Sequence, residues 1–204
     1  MKDQHPKKTY YPTYDVMSEK GEWDPVTQQV IQNRTHPTEG NVLTPEMKRT
    51  LQAYSKSLFP SHVGEQTLSI SLILDHRLTE KKLKSYPKNS LLSKEEIILY
   101  GLEHAEEECV LTDQTPFFQM SDDDRLKKII SWKHQLGEES VWKNVSCDLF
   151  YSTLTSELLK LIYSDPSIWS NIGYGGPAYP RGYYAYGPKQ FDSWEAKPHD
   201  ENLS

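Results

Sequence analysis

Few residues in this chain have types and spacings that can do chemistry, and each set has a plainer reading. Gly173-Tyr174-Gly175-Gly176-Pro177-Ala178 fits G-x-G-x-x-A, the pattern that sets a dinucleotide pyrophosphate on a helix N-terminus. That use needs a strand before the glycines and a helix after them. Here a helical pattern precedes them and Pro177 and Pro180 follow. The glycines therefore read as positions that permit positive φ and close backbone approach in a docked loop. Asp122-Asp123-Asp124 suggests a cation site, but no alternating ligands, central glycine or closing glutamate follow. Three acids opening a helix complement its dipole instead. Glu106-Glu107-Glu108 reads most simply as a solvated helix face.

The seven histidines, at positions 5, 36, 62, 76, 104, 134 and 199, form no HExxH and no i, i+4 pair. His76 and His104 fall in helical stretches and read as surface or satisfied core residues. Cys109 and Cys147 make neither a CxxC pair nor a haem attachment. They read as two buried thiols on helix faces rather than as a disulfide, which leaves the chain no visible means of carrying electrons. No nucleophile elbow, Cys–His pattern or P-loop is present. A pair of carboxylates assembled only in three dimensions stays open. Arg181 stands between Pro180 and Gly182 and is flanked by Tyr179 and Tyr183. A guanidinium on so stiff a backbone suits a bidentate carboxylate contact or a ring stack. It serves either a partner interface or an internal pairing of the tail on its own helices.

The elements that position these residues are helical. Thr44-Pro45-Glu46 supplies a cap hydroxyl, a proline at the first helical position and an acid in the first turn. Met47, Leu51, Tyr54 and Leu58 then mark one face, and Phe59-Pro60 ends it. Residues 65–84 alternate in their first half, so a strand is possible, but length and the lack of a hairpin partner favour helix. Ser93-Lys94-Glu95-Glu96 is a capping box, with Leu92 and Ile97 placed as a hydrophobic staple. That helix is expected to run to Val110, with Ile98, Leu102, Ala105 and Cys109 inward. Another starts at Ser121 and carries Leu126, Ile129 and Ile130 into a core shared with Trp132 or Trp142. A last helix is expected over 140–163, lined by Trp142, Val145, Leu149, Leu154, Leu158, Leu161 and Ile162, and stopped by Asp165-Pro166. The chain reads as all-α. About five helices in residues 44–164 lie between two irregular, aromatic, Pro/Gly-rich arms, an extended 1–43 and 165–204, in one structural domain.

Composition narrows the function. A formal charge of −6 and a pI near 5.7 argue against nucleic acid or an anionic membrane surface as the main partner. The N-terminus has no apolar h-region and no twin arginine. The best apolar run, residues 70–74, falls far short of the roughly 18 residues a membrane span needs, so no direct membrane insertion is expected. The tail is different in kind. Half of the ten glycines lie between Gly173 and Gly187, and nine aromatic residues lie between Tyr163 and Trp194. Such a segment is too broken for helix and too aromatic for an ordinary disordered tail. Its rings must be buried on the chain itself or on a partner.

The run from Asp165-Pro166-Ser167-Ile168-Trp169 through Gly173-Tyr174-Gly175-Gly176-Pro177-Ala178-Tyr179-Pro180-Arg181-Gly182-Tyr183 resembles the C-terminal signature of the gluconate 2-dehydrogenase subunit 3 family. Tyr14 to Lys20 with Trp23-Asp24-Pro25-Val26-Thr27 resembles its N-terminal arm, and Leu43 to Pro60 its first helix. The resemblance implies a non-catalytic small subunit of a heteromeric FAD-dependent dehydrogenase. In such a complex a GMC-type large subunit carries FAD and oxidises a polyol, aldose or aldonate. A haem-containing subunit often passes the electrons on. The small subunit, without a cofactor of its own, supports folding, flavin loading, stability or export of the large one. The implied partner-binding residues are Trp23, Trp169, Gly173, Tyr174, Gly175, Gly176, Pro177, Tyr179, Pro180, Arg181, Gly182 and Tyr183. Many members carry a twin-arginine signal. Without one, this chain is expected in the cytoplasm or exported with a signal-bearing partner into a membrane-associated complex. The alternative is a stand-alone helical interaction module with no dehydrogenase partner.

Overall fold

The computed structural model describes residues 15–35, 40–59, 67–87 and 90–166, with 168, 169, 174, 176 and 177. Its regular elements are helical: a 3₁₀ helix at Val16–Glu22, α1 (Pro25–Thr35), α2 (Pro45–Leu58), α3 (Thr67–Thr79), α4 (Lys94–Asp113), a 3₁₀ turn at Phe117–Gln119, α5 (Asp122–Lys133) and α6 (Cys147–Tyr163). The all-α expectation holds, with six α-helices among the described residues rather than about five. None of these helices is long and apolar enough to cross a membrane.

The additional helix, α1, lies in the arm that was expected to be extended. Asp24 accepts the backbone N–H groups of Val26 and Thr27, at 3.0 and 3.2 Å, and Pro25 occupies the first helical position. This is the same start chemistry as Thr44-Pro45-Glu46. Before it, Asp15 caps the 3₁₀ helix through the N–H of Met17.

By contacts the chain divides into two compact units, Pro37–Ile162 and a unit of Met1–His36 with Tyr163–Ser204. In the larger unit α2 packs against α3, α4, α5 and the 3₁₀ turn. Met47, Leu51 and Tyr54 are buried on its inner face, as their spacing predicts. The capping box at Ser93 forms, with the Ser93 N–H donating to Glu96 Oε2 at 2.7 Å. Ile98, Leu102, Ala105 and Cys109 are all fully buried. Residues 67–79 are helix, not strand, because Ile70, Leu74 and Leu78 recur with helical spacing and are buried.

Two sequence expectations need correction. The last helix starts at Cys147, not near Ser140. Trp142 and Val145 are buried from a non-helical connection, because apolar spacings of three and four also arise when a loop folds back onto a core. Leu126 and Ile130 are 40% and 47% exposed; on α5 only Ile129, Trp132 and, unexpectedly, Arg125 are buried. Arg125 is buried because its guanidinium has work to do: it donates to Ser57 Oγ on α2 and to the Met120 carbonyl, and it pairs with Asp122.

Asp75 on α3 ties the residues before α2 to the body. Its Oδ1 accepts the backbone N–H groups of Val42 and Leu43, each at 2.9 Å, and Lys48 Nζ on α2 stands 2.9 Å from Oδ2. Asp75 is fully buried. Replacing it by alanine strips two amides of their acceptor and Lys48 of its counter-charge. Asp75→Ala is expected to lower stability by about 2–4 kcal/mol, read as a reduced urea midpoint. An unchanged midpoint would show that the tie carries no weight.

Candidate functional site

Two side-chain arrangements stand out, one in each unit. The first is built on α4. Ile97, Gly101, Ala105 and Glu108 form one helical row, and its last member is a carboxylate that is 3% exposed. Both of its oxygens are in use. Oε2 accepts the indole N–H of Trp132, at 2.8 Å, and also that of Trp142, while Oε1 faces Lys128 Nζ at 3.2 Å. Lys128 spends its remaining donors on Thr112 Oγ1 at 2.8 Å and Asp113 Oδ2 at 2.9 Å. The acidic triplet is therefore not a solvated face. Glu106 is half-buried, accepting the Thr50 hydroxyl and the Phe117 N–H, and only Glu107 is exposed.

Around Glu108 stands an aromatic core drawn from five elements. Tyr54 stacks on Trp132 with the ring planes 6° apart, and Trp132 meets Phe117, Trp142 and Phe150 at centroid distances of 5.3 to 6.0 Å. The Phe150 ring lies where a Cβ on Gly101 would be, so only glycine lets α6 come this close to α4. His104 lies edge-on to Trp142 at 5.6 Å, with Glu107 Oε2 3.6 Å from Nδ1. Neither His104 ring nitrogen has a hydrogen-bond partner among the described residues, so it is neither a surface residue nor a satisfied core one.

An open cavity of about 710 Å³ adjoins this centre, lined by Glu108, Asp113, Asp124, Lys127, Lys128 and Leu136 among others. Its chemistry is quiet. Burial pulls the Lys128 ammonium down, but Asp113 and Glu108 outweigh burial and hold it above the usual lysine range, so it is no nucleophile. Burial pushes the Cys109 thiol up to about 12 and raises Cys147 as well, so neither is a thiolate at neutral pH. Both thiols are free and buried. Among the described residues, no cluster of three or more His, Cys, Asp or Glu could hold a metal ion.

The second arrangement joins the two ends of the chain. Val16, Trp23, Ile31 and Trp169 form one buried cluster, with Met17 packed against it. The Trp169 indole donates to the carbonyl of Tyr163, the last residue of α6, at 2.7 Å. The Tyr174 N–H donates to the Trp169 carbonyl at 2.8 Å, and the two rings meet nearly perpendicular at 5.2 Å. Gly176 has φ +90°, and a Cβ there would stand 2.6 Å from Val16 Cγ2. Of the residues expected to bind a partner, Trp23, Trp169 and Gly176 are buried, Pro177 is half-buried and Tyr174 is exposed. Gly173, Gly175, Tyr179, Pro180, Arg181, Gly182 and Tyr183 lie outside the described residues.

A family model described as Gluconate 2-dehydrogenase subunit 3 matches residues 45–176, more than half of the chain. The matched stretch runs from α2 through α6 to Gly176 and stops before Arg181. A search of curated proteins and one of solved structures found no match.

The shifts around Glu108 set a pH limit. Cys109 is neutral in the folded chain up to about 12 but ionises near 9.0 when unfolded. Its contribution is complete below about pH 9 and is lost as the pH rises toward 12. Lys128, raised in the folded state, loses its contribution in the same direction. Stability is therefore expected to fall above about pH 9, and Cys109→Ala to flatten the first part of that fall in urea midpoints measured from pH 7 to 11. An identical slope in wild type and variant would contradict the assignment.

Proposed function

The chain belongs to the gluconate 2-dehydrogenase subunit 3 family, and from that premise we propose that it is the non-catalytic small subunit of a heteromeric FAD-dependent dehydrogenase. The large subunit would be a GMC-type flavoprotein that carries the FAD and oxidises a sugar, polyol or sugar acid. A haem-containing third subunit would take the electrons onward. This chain would support folding, flavin loading, stability or export of the flavoprotein, with the tail around Gly173–Tyr183 as a main contact. It would travel with a signal-bearing partner if the complex is exported.

The observation that carries this reading is the extent of the family match, which takes in the helical body and the first part of the aromatic tail together. The quiet chemistry around Glu108 agrees with it. Every polar atom of the Glu108–Lys128 pair is engaged within the chain, as suits a structural centre. One observation favours the alternative of a stand-alone helical interaction module. Trp23 and Trp169, expected at the interface, are packed into the chain's own cluster.

Co-expression with a GMC-type flavoprotein from the same source distinguishes the two. A tagged chain is expected to bring down a stoichiometric yellow complex whose large subunit becomes insoluble, or loses flavin, when this chain is omitted. A colourless protein that purifies alone, with the flavoprotein folded and loaded without it, would overturn the subunit reading.

A further inference from the structure

We propose that the N-terminal arm is the positioning element for the C-terminal tail: Val16 and Trp23 form a buried seat on which Gly176 closes, and capture of a partner through the tail depends on that seat. The dependence on a partner rests on the functional reading above; the seat itself does not.

Between Trp169 and Gly176 the tail is held at three points. Trp169 is 6% exposed in a cluster whose other members, Val16, Trp23 and Ile31, all come from the first 31 residues. Its indole N–H is spent on the Tyr163 carbonyl, which fixes the direction of the ring. Five residues on, the Tyr174 N–H returns to the Trp169 carbonyl at 2.8 Å. Gly176 then passes under the arm, with Val16 Cγ2 2.6 Å and Trp23 Cζ2 3.3 Å from the place a Cβ would take. Its φ of +90° is one that side-chain-bearing residues avoid. Both steric room and backbone conformation therefore demand glycine here.

Pro177 follows with its own φ restricted by its ring, so the backbone at Gly176 and Pro177 is constrained both by the ring and by residues some 150 positions earlier in the sequence. Val16, Trp23 and Ile31 are at most 3% exposed. They are enclosed in the chain's own cluster, so what they contribute to capture acts through the tail. The matched family stretch ends at Gly176, the residue at which the seat takes hold.

The test uses the full chain co-expressed with the flavoprotein. Val16→Asp puts a charge into the cluster, and Gly176→Ala adds the methyl that has no room. Three readouts are taken: flavoprotein captured per tagged chain, amide exchange in residues 164–177, and labelling of the buried Cys109, which reports whether the larger unit stays folded. Each variant is expected to lower capture about tenfold and to speed exchange over 164–177, with Cys109 still protected.

Val16→Ala combined with Gly176→Ala removes the clashing Cγ2 and is expected to restore part of the capture that Gly176→Ala loses. Two unrelated structural defects would not do so. If Val16→Asp exposes Cys109, the Gly176→Ala pair carries the test. Unchanged exchange over 164–177 in both variants would overturn the seat. Faster exchange with undiminished capture would overturn its role in presenting the tail. If the wild-type chain captures no flavoprotein, the subunit reading falls, and the exchange pattern alone decides whether the seat exists.

Discussion

The body of this protein depends on one buried carboxylate. Glu108 sits where an otherwise apolar row of α4 meets the aromatic core, and its charge is met there by two indole N–H groups and one ammonium. An isolated carboxylate in that position would cost several kcal/mol. Three donors from α5 and from the connection before α6 offset that cost, and in doing so they fix where those segments lie. Trp132 can stack on Tyr54 because its other edge is held by Glu108. Trp142 is buried outside any helix for the same reason. Such a pair adds little net stability compared with apolar packing, but it admits few alternative arrangements.

This centre also limits what the larger unit can do. Its amine and thiols are held in their unreactive forms by carboxylates and by burial, and the adjoining cavity is lined by charges that already have partners. In the smaller unit, tryptophans of the kind found at interface hot spots are spent on joining the two ends of the chain. A segment fixed before binding loses less conformational freedom on binding, and Trp169 and Gly176 are fixed in this way against Val16 and Trp23.

Much of the fold was legible because it rests on local chemistry. Thr44-Pro45-Glu46 and Ser93 to Glu96 announce their helices by capping groups within three residues of each other, and both helices start there. Asp24-Pro25 carries the same signal. The prolines and aromatic residues spaced through 1–43 point to an extended arm and mask that signal. The acidic triplet misled for a different reason. Three adjacent glutamates look uniform in sequence, yet successive helical positions are rotated by about 100°, which sends Glu107 to solvent and Glu108 to the core. The row Ile97, Gly101, Ala105, Glu108 was the available signal. Nothing local marks Asp75, Arg125 or the seat under Gly176, since their partners lie 33, 68 and 160 residues away.

The most direct measurement is of the indole protons. In a two-dimensional NMR spectrum, the Trp132 and Trp142 indole N–H groups should exchange slowly with solvent. Both resonances should move together when Glu108 is replaced by glutamine, which keeps the shape but removes the charge, while that of Trp169 stays in place. If either indole exchanges as fast as a solvent-exposed one, or if Glu108→Gln moves only one of them, the shared carboxylate is not what holds the core together.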